Sequence, residues 1–443
     1  MNKRRYVAAA ALCTATLLTL AACGGGSKSA AGDDGSPKTV PNTKGEGKTL
    51  TVWVMDGDYT DATIKAINDQ FTQATGAQVD VQIQQWESIT TKISTALSTS
   101  GTPDVLDLGN TQVPGFAANG GLLDLTAYKA DLQQGRTWLA GLEEPATVDS
   151  KLYAVPGFAG ARAVIYNKKT WAAAGITAVP ASYAELTAAL DKVKAANPAA
   201  DFSPFYLPGQ YWYAGMQFIW DAGGDIATSA GGVWKGGFSS PEGQKGLADF
   251  KTFQNKYSTA ASRALDTLTP DQNQVFADGK TASILSTSGS LGLIQKANPK
   301  IKAADLGTFP LPGVSGKAQP VMLGGSDWGI ATKSDAPELA LQWTKIAASP
   351  TVQDKNVFGH DGWIPNSTQG IEAAQPSLNE QQKGFFTAAL TSKATPAAAQ
   401  WPTLEGDKSI NQVFSAVASG AKSPADAGQE FDSHLDSTLA GGK

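Results

Sequence analysis

Catalysis needs nucleophiles, acids, bases or metal ligands at set spacings, and this chain of 443 residues offers few of them. It holds two histidines, His360 and His434, and two cysteines, Cys13 and Cys23. No His-Glu-x-x-His, Cys-x-x-Cys, Gly-x-x-x-x-Gly-Lys-Ser/Thr or Gly-x-Ser-x-Gly run occurs. Zinc hydrolysis, P-loop chemistry and nucleophile-elbow hydrolysis therefore lack their signatures. His360 reads as a loop or surface residue and His434 as a residue near the C-terminus with no assigned role. Paired carboxylates stay open, because a glycosidase needs only two acids that the fold brings together. No EF-hand-like loop is present, and neither a metal nor a cofactor is assigned.

What the chain supplies instead is aromatic rings in loops. Of its 11 tryptophans and 10 tyrosines, several stand among Gly, Pro, Ser and Asn, off any periodic stripe: Trp86, Tyr211, Trp212, Tyr213, Trp234, Trp328, Trp363 and Trp401. A saccharide has a flat C–H face and a rim of hydroxyls, so its site needs rings to stack on and planar polar groups that pair with neighbouring hydroxyls. Asp56, Asp58 and Tyr59 follow the first expected strand, Asn110 and Gln112 follow the third, and Asp327 adjoins Trp328. Loops at the carboxyl ends of strands line the ligand crevice in α/β sheets. Trp53, inside an apolar run, and Trp343, on an apolar helix face, are expected in the core.

The elements that must position these residues alternate in type. Leu50-Thr-Val-Trp-Val54 reads as a strand; Ile64, Ile67 and Phe71 share a helix face closed by Gly76; Val79–Ile83 reads as a second strand. A helix with Ile89, Ile93 and Leu97 leads to the strand Asp104–Leu108. This is a β-α-β pattern with a parallel sheet. Farther on, Ser182-Tyr-Ala-Glu185 matches a capping box before Leu186, Leu190 and Val193, and Ser240-Pro-Glu242 starts a helix carrying Leu247, Phe250 and Phe253. Thr281–Leu285 and Gly329–Ala331 read as short strands, and a helix from Pro337 carries Leu341, Trp343 and Ile346. No internal repeat is present. The pattern is α/β, and a folded body of about 395 residues divides into two lobes.

The N-terminus bears on location. Lys3, Arg4 and Arg5 precede an uncharged stretch from Tyr6 to Ala22 that ends on small residues, which is the layout of a signal peptide over residues 1–22. Leu20-Ala-Ala-Cys23 resembles the lipobox of bacterial lipoproteins, and that resemblance implies lipidation of Cys23 and attachment to the outer face of the membrane. Cys13 would leave with the signal, so no disulfide is expected. Residues 23–48 are rich in Gly, Ser, Pro, Asp and Lys and are expected to form a flexible tether. Loss of the signal takes the formal charge from −5 to −8 and leaves no basic block, which excludes nucleic acid as a partner.

From Leu50 to the end, the chain resembles the extracellular solute-binding proteins of ABC importers, the family that includes maltodextrin-binding proteins and actinobacterial oligosaccharide binders. The resemblance rests on motifs in order: Leu-Thr-Val-Trp-Val54, Phe71-Thr-Gln-Ala-Thr-Gly76, Thr102-Pro-Asp-Val105, Phe116-Ala-Ala-Asn-Gly-Gly-Leu-Leu-Asp-Leu125, Leu152-Tyr-Ala-Val-Pro156 leading to Ile165-Tyr-Asn-Lys168, Ala222-Gly-Gly-Asp225, Gly279-Lys-Thr-Ala282 and Gly324-Gly-Ser326. It implies a type II periplasmic-binding-protein-like fold: two lobes on mixed sheets that close on ligand, with the chain crossing near Val155–Val164, Pro320 and Trp363–Asn366. The implied lobes are residues 49–160 plus 321–363 and residues 161–320 plus 364–443.

It further implies a sugar or short oligosaccharide as ligand, with chitobiose or N-acetylglucosamine, cellobiose and trehalose all open, a membrane permease as partner, a monomeric state and an actinobacterial type of Gram-positive cell. No enzymatic activity is implied; a lipid-anchored glycoside hydrolase or a sugar sensor is the alternative. Carried over by position, Asp56 to Tyr59 and Asn110 reach sugar hydroxyls, Tyr213 is a stacking ring beside Tyr211 and Trp212, and Phe158 and Arg162 lie in the first crossing segment. The sequence departs from the maltodextrin binders twice: Gly160 stands where they have a carboxylate, and Ser288-Gly-Ser290 where they have a stacking tryptophan. Trp220, Trp328 and Trp363 are then the candidates for the stacking platform, and maltodextrin is disfavoured as the ligand.

Overall fold

The computed structural model describes residues 36–99 and 101–441. The signal peptide, Cys23 and the first part of the tether lie outside the described residues. The rest of the expected tether does not behave as one. The Lys38 amide donates to the Ala127 carbonyl at 2.7 Å and the Gly45 amide to that of Thr75 at 2.8 Å. The Val40 amide donates to Asp131 Oδ2 at 2.8 Å, and the Val40 side chain is buried. One apolar residue with a backbone partner on each side is enough to hold a short segment against the body, so the packed part begins near Lys38 and not after Lys48.

The first unit follows the sequence pattern closely. Strand β1 (Thr49–Met55) is followed by helix α1 (Asp61–Thr75), strand β2 (Gln78–Gln84), helix α2 (Ile89–Ser98) and strand β3 (Val105–Gly109). The Thr60 side chain accepts from the Thr63 amide to start α1, and Gly76, at φ 78°, ends it in the left-handed conformation that glycine adopts without strain. β1 pairs in parallel with both β2 and β3.

The chain then turns from one sheet to another with a single residue between. Strand β4 (Ala154–Gly160) belongs to the first sheet, and strand β5 (Arg162–Asn167) to a second one with β6 (Ser283–Thr287) and β7 (Leu306–Phe309). Strand β8 (Gly324–Ile330) and the two-residue β9 (Ile364–Pro365) return to the first sheet, whose order is β9-β4-β8-β3-β1-β2. β8 runs antiparallel to β3 and to β4, so the sheet that begins as a parallel unit is mixed.

Each sheet carries its own core. One apolar cluster joins Val52, Val54, Phe71, Leu106, Trp328 and Trp343; a second joins Trp171, Phe218, Phe250, Phe253, Trp401 and Phe414. A third, with Leu142, Ala159, Ala161, Ile165 and Phe385, lies where the strands change sheet. Trp53 and Trp343 are in the core as expected, their indole N–H groups donating to Gln82 Oε1 at 3.0 Å and Asn68 Oδ1 at 2.8 Å. Two details differ from the sequence reading. Ser182 caps the helix Tyr183–Ala196 by accepting from the Glu185 amide, but the Glu185 carboxylate takes the Ala181 amide at 2.7 Å, so the reciprocal bond of a capping box is displaced by one residue. The strand expected at Thr281 begins at Ser283, because the Thr281 hydroxyl is spent on the Ser283 carbonyl at 2.9 Å.

Candidate functional site

The loop after β1 comes down onto the ends of β3 and β8. Asp107, on β3, takes the Met55 amide at 3.1 Å on Oδ2 and meets the Ser326 hydroxyl with Oδ1. The same hydroxyl lies 2.7 Å from Asp58 Oδ2. Asp327, the next residue on β8, is fully buried, and neither of its carboxylate oxygens has a hydrogen-bond partner among the described residues. Burial pushes the Asp58 carboxyl up to about 6 and those of Asp107 and Asp327 well above the usual range; the neighbouring charge of Asp58 adds to the effect at Asp107, and that of Asp107 at Asp327.

Aromatic rings roof this acidic floor. Tyr59 stacks on Trp328 with centroids 5.0 Å apart, and Phe158 stands edge-on to Tyr59 at 5.2 Å. Phe158 stacks on Trp363 at 4.5 Å, and the Trp363 indole N–H donates to the Asp58 carbonyl at 2.7 Å. The Tyr59 hydroxyl is buried without a hydrogen-bond partner among the described residues, against Gly157, where an added Cβ would collide with it. Trp86, 42% exposed, lies beside Asp58 and near Gly109 with no ring upon it. Asp56 is exposed and adds a second carboxylate at the rim.

A second group gathers where β5 begins. The Arg162 guanidinium carbon lies 3.7 Å from the centre of the Tyr213 ring, and its Nε donates to the Tyr211 hydroxyl at 3.0 Å. Trp212 lies 3.9 Å from Tyr213 on a near-parallel plane and meets Trp401 edge-on at 6.1 Å. The Trp401 indole N–H donates to Glu405 Oε1 at 2.7 Å. Burial raises the Glu405 carboxyl, against that hydrogen bond, and raises the Tyr213 phenol, against the pull of Arg162. The helix Trp401–Gly406 lies near residues 110–112, the turn that follows β3. At the end of β4, Gly160 leaves open space: an added Cβ would meet only the Gly324 carbonyl, 4.0 Å away.

The structure thus brings Asp56, Asp58, Tyr59, Trp86, Phe158 and Trp363 together on one side, and Arg162, Tyr211, Trp212 and Tyr213 on the other. It places four expected contacts differently. Trp328 is 1% exposed, wedged between Tyr59 and Trp343, so it supports the floor and offers no face. Asp327 lies beneath the floor, on the strand itself. Trp220 is buried and its N–H is spent on Asp225 Oδ1 at 3.0 Å. Asn110 is buried and donates to the Gly141 and Leu323 carbonyls at 3.2 and 3.0 Å, which makes it a clamp between backbone segments. Tyr213 has both faces covered, by Trp212 and by Arg162, and keeps only its edge and hydroxyl. Of the described rings in the two groups, Trp86 is exposed, and Trp363 is half-buried with one face on Phe158.

Three participants were missed. Asp107 was readable as a lone charge inside the apolar run Val105–Leu108, Glu405 as the residue one helical turn after Trp401, and Ser326 only as part of a Gly-Gly-Ser motif. Among the described residues no group of three or more Asp, Glu, His or Cys side chains is arranged to hold a metal ion. Three surface concavities of about 520–540 Å³ lie around His434 and Asp407, between Tyr166 and Glu380, and around Tyr206 and Lys280, and none of their lining residues belongs to either group.

Comparison with known proteins places the fold. The profile of the family described as bacterial extracellular solute-binding protein matches residues 56–354. The diacetylchitobiose binding protein DasA of Streptomyces coelicolor is 34% identical over 411 residues, spanning 92% of this chain and 93% of that protein. The sugar-binding protein MalE of Xanthomonas citri superposes with a TM-score of 0.76 over 89% of this chain and 98% of its own, at 22% identity. The GacH receptor of Streptomyces glaucescens, solved unliganded and with acarbose, superposes with a TM-score of 0.68 over 89% of this chain and 99% of its own, at 23% identity. At such identities the structural likeness speaks for the two-lobed fold.

Proposed function

Since the chain belongs to the bacterial extracellular solute-binding protein family, we propose that it is the substrate receptor of an ABC importer and that it captures an N-acetylglucosamine disaccharide of the diacetylchitobiose type. The observation that carries this reading is the exposed Trp86 ring beside the Asp58 carboxyl, together with the Arg162 guanidinium held on the Tyr213 ring where β5 begins. A ring takes the C–H face of a pyranose, a protonated carboxyl donates to one hydroxyl and accepts from its neighbour, and a guanidinium donates to an acyl carbonyl. The 34% identity to a diacetylchitobiose binder across nearly the whole chain supports that choice of sugar.

In this reading Asp56, Asp58, Trp86 and Trp363 contact ligand from the lobe that carries the first sheet, to which Ile364–Pro365 also belongs and not, as the sequence implied, to the other lobe. Arg162, Tyr211 and Tyr213 contact it from the lobe that carries β5, β6 and β7. Closure of the lobes on ligand gives the membrane permease a surface that the open form lacks. Cys23 carries the lipid that keeps the receptor, a monomer, at the outer face of a Gram-positive membrane.

A thermal-shift panel of mono- and oligosaccharides on residues 37–443 tests the reading, because a ligand that binds only the folded state raises Tm. A rise of several degrees with diacetylchitobiose and a smaller one with maltose is expected. Silence across all sugars from a folded protein would refute it.

A further inference from the structure

The acidic floor contains more carboxylate than its hydrogen bonds can serve. Ser326 Oγ touches both Asp58 Oδ2 and Asp107 Oδ1, yet a serine hydroxyl has one hydrogen to give. It donates to one carboxyl, so the other must donate to it, and only a protonated carboxyl can. Asp327 repeats the argument by another route: a fully buried carboxylate with no partner on either oxygen is prohibitively costly as an anion. No ion pair reaches any of the three aspartates among the described residues, and no set of ligands there is arranged for a cation, so protons are what neutralise them.

The groups that face this cluster are almost all acidic. The loop after β1 brings Asp56 and the Tyr59 phenol; β3 brings Asp107; β8 brings Asp327. The turn before β9 brings Asp361, whose Oδ1 takes the Thr60 and Thr63 hydroxyls at 2.7 and 2.8 Å, with His360 beside it. The charges of Asp107, Asp58, Asp327 and Asp361 all bear on Tyr59, which burial already holds in its neutral form.

This cluster is mechanically tied to the rings above it. The Asp58 backbone carbonyl holds Trp363, Tyr59 follows Asp58 directly, and Trp86 lies beside its carboxyl. We propose that Asp107 is a positioning residue which keeps its proton at neutral pH and, through Ser326, holds Asp58 and its loop in the capture geometry, so that ligand binding is linked to protons held under the site. Removal of the shared proton leaves two negative charges on either side of one hydroxyl and drives the loop carrying Asp58 outward. Ligand covers Asp58, removes its remaining solvent and strengthens its hold on a proton. Binding therefore takes up protons, and affinity falls as pH rises. The link to sugar rests on the function proposed above; the protonation itself does not.

Two measurements keep those apart. On ligand-free protein of residues 37–443, infrared spectra at neutral pH should show the carbonyl stretch of protonated carboxylic acid, and Asp107→Asn should remove part of it. If the native protein lacks that band, the proposal fails whatever the ligand. Titration with diacetylchitobiose from about pH 5.5 to about pH 8.5 should show affinity weakening about tenfold, the effect of one pKa unit between free and bound states. Asp107→Asn removes one of the two carboxyls that share Ser326 and should reduce the slope of log affinity against pH to that of Asp58 alone, while Ser326→Ala should lose affinity at every pH. A flat profile in the native protein, or an unchanged slope in Asp107→Asn, overturns the linkage. Absence of any sugar binding would refute the proposed function and leave the infrared result to decide the protonation.

Discussion

The two groups that flank the proposed site solve the same problem, holding flat rings beside polar groups, on opposite plans. On the side of Asp58 the polar groups lie underneath: buried carboxyls meet at Ser326, and the Asp58 backbone carbonyl holds the Trp363 N–H. On the side of Arg162 the charge lies on top, its guanidinium resting on Tyr213, which rests on Trp212. The first plan puts protonation beneath the ligand and leaves Trp86 open. The second spends its ring faces on internal stacking and presents donors. A ligand bound between them would meet aromatic surface mainly from one side and hydrogen-bond donors mainly from the other.

Substitutions can separate the plans, beginning with the largest effect. Trp328→Ala removes the buried ring under Tyr59 and should cost about 3–5 kcal/mol of stability in denaturant unfolding; a loss under 1 kcal/mol would show that the floor does not depend on it. Next comes pH. The folded Asp58 carboxyl is raised from its ordinary value of 3.8 to about 6, so its contribution to stability is fully present below about pH 4 and is lost as pH rises through about 6. The difference amounts to about 2–3 kcal/mol. Comparing pH-stability curves of native protein and Asp58→Asn isolates it from exposed carboxylates such as Asp407, which is held below its usual range by Ser409 and His434 and so acts in the opposite direction.

Smaller effects concern affinity. Trp86→Ala should weaken sugar binding by about 1 kcal/mol and leave Tm unchanged, since the ring packs on no other ring. The same substitution at Trp212, buried between Tyr213 and Trp401, should lower Tm, which is the reverse of what its loop-like sequence context suggests. Arg162→Lys keeps the charge but loses the planar contact with Tyr213 and the bond to Tyr211, and should cost roughly 0.5–1 kcal/mol of affinity by calorimetry. If Arg162→Lys costs more than Trp86→Ala, the donor-presenting side dominates recognition and the ranking of the two plans is wrong.

The contrast also explains which features were legible in the sequence. Periodicity placed β1, α1, β2, α2 and β3 nearly to the residue because each has one apolar face and a local start or stop signal, such as Thr60 and Gly76 around α1. The loop Asp56–Tyr59 was expected to carry ligand contacts because it follows a strand. Which rings were free was not legible: Trp86 and Trp328 both sit among small polar residues, and only packing distinguishes an open ring from one wedged between Tyr59 and Trp343. Asn110 looked like a ligand contact for the same reason, since nothing local reveals that its amide is spent on Gly141 and Leu323. The acidic floor joins positions 58, 107 and 326, which are far apart in the chain, and no spacing rule connects them.

The most direct test of the account is calorimetric titration of residues 37–443 with diacetylchitobiose, with maltose as the control. The account predicts saturable one-to-one binding of the amino sugar, much tighter than any binding of maltose. A folded protein that shows no heat with diacetylchitobiose, or that hydrolyses it, would contradict the assignment of this cleft to amino-sugar capture.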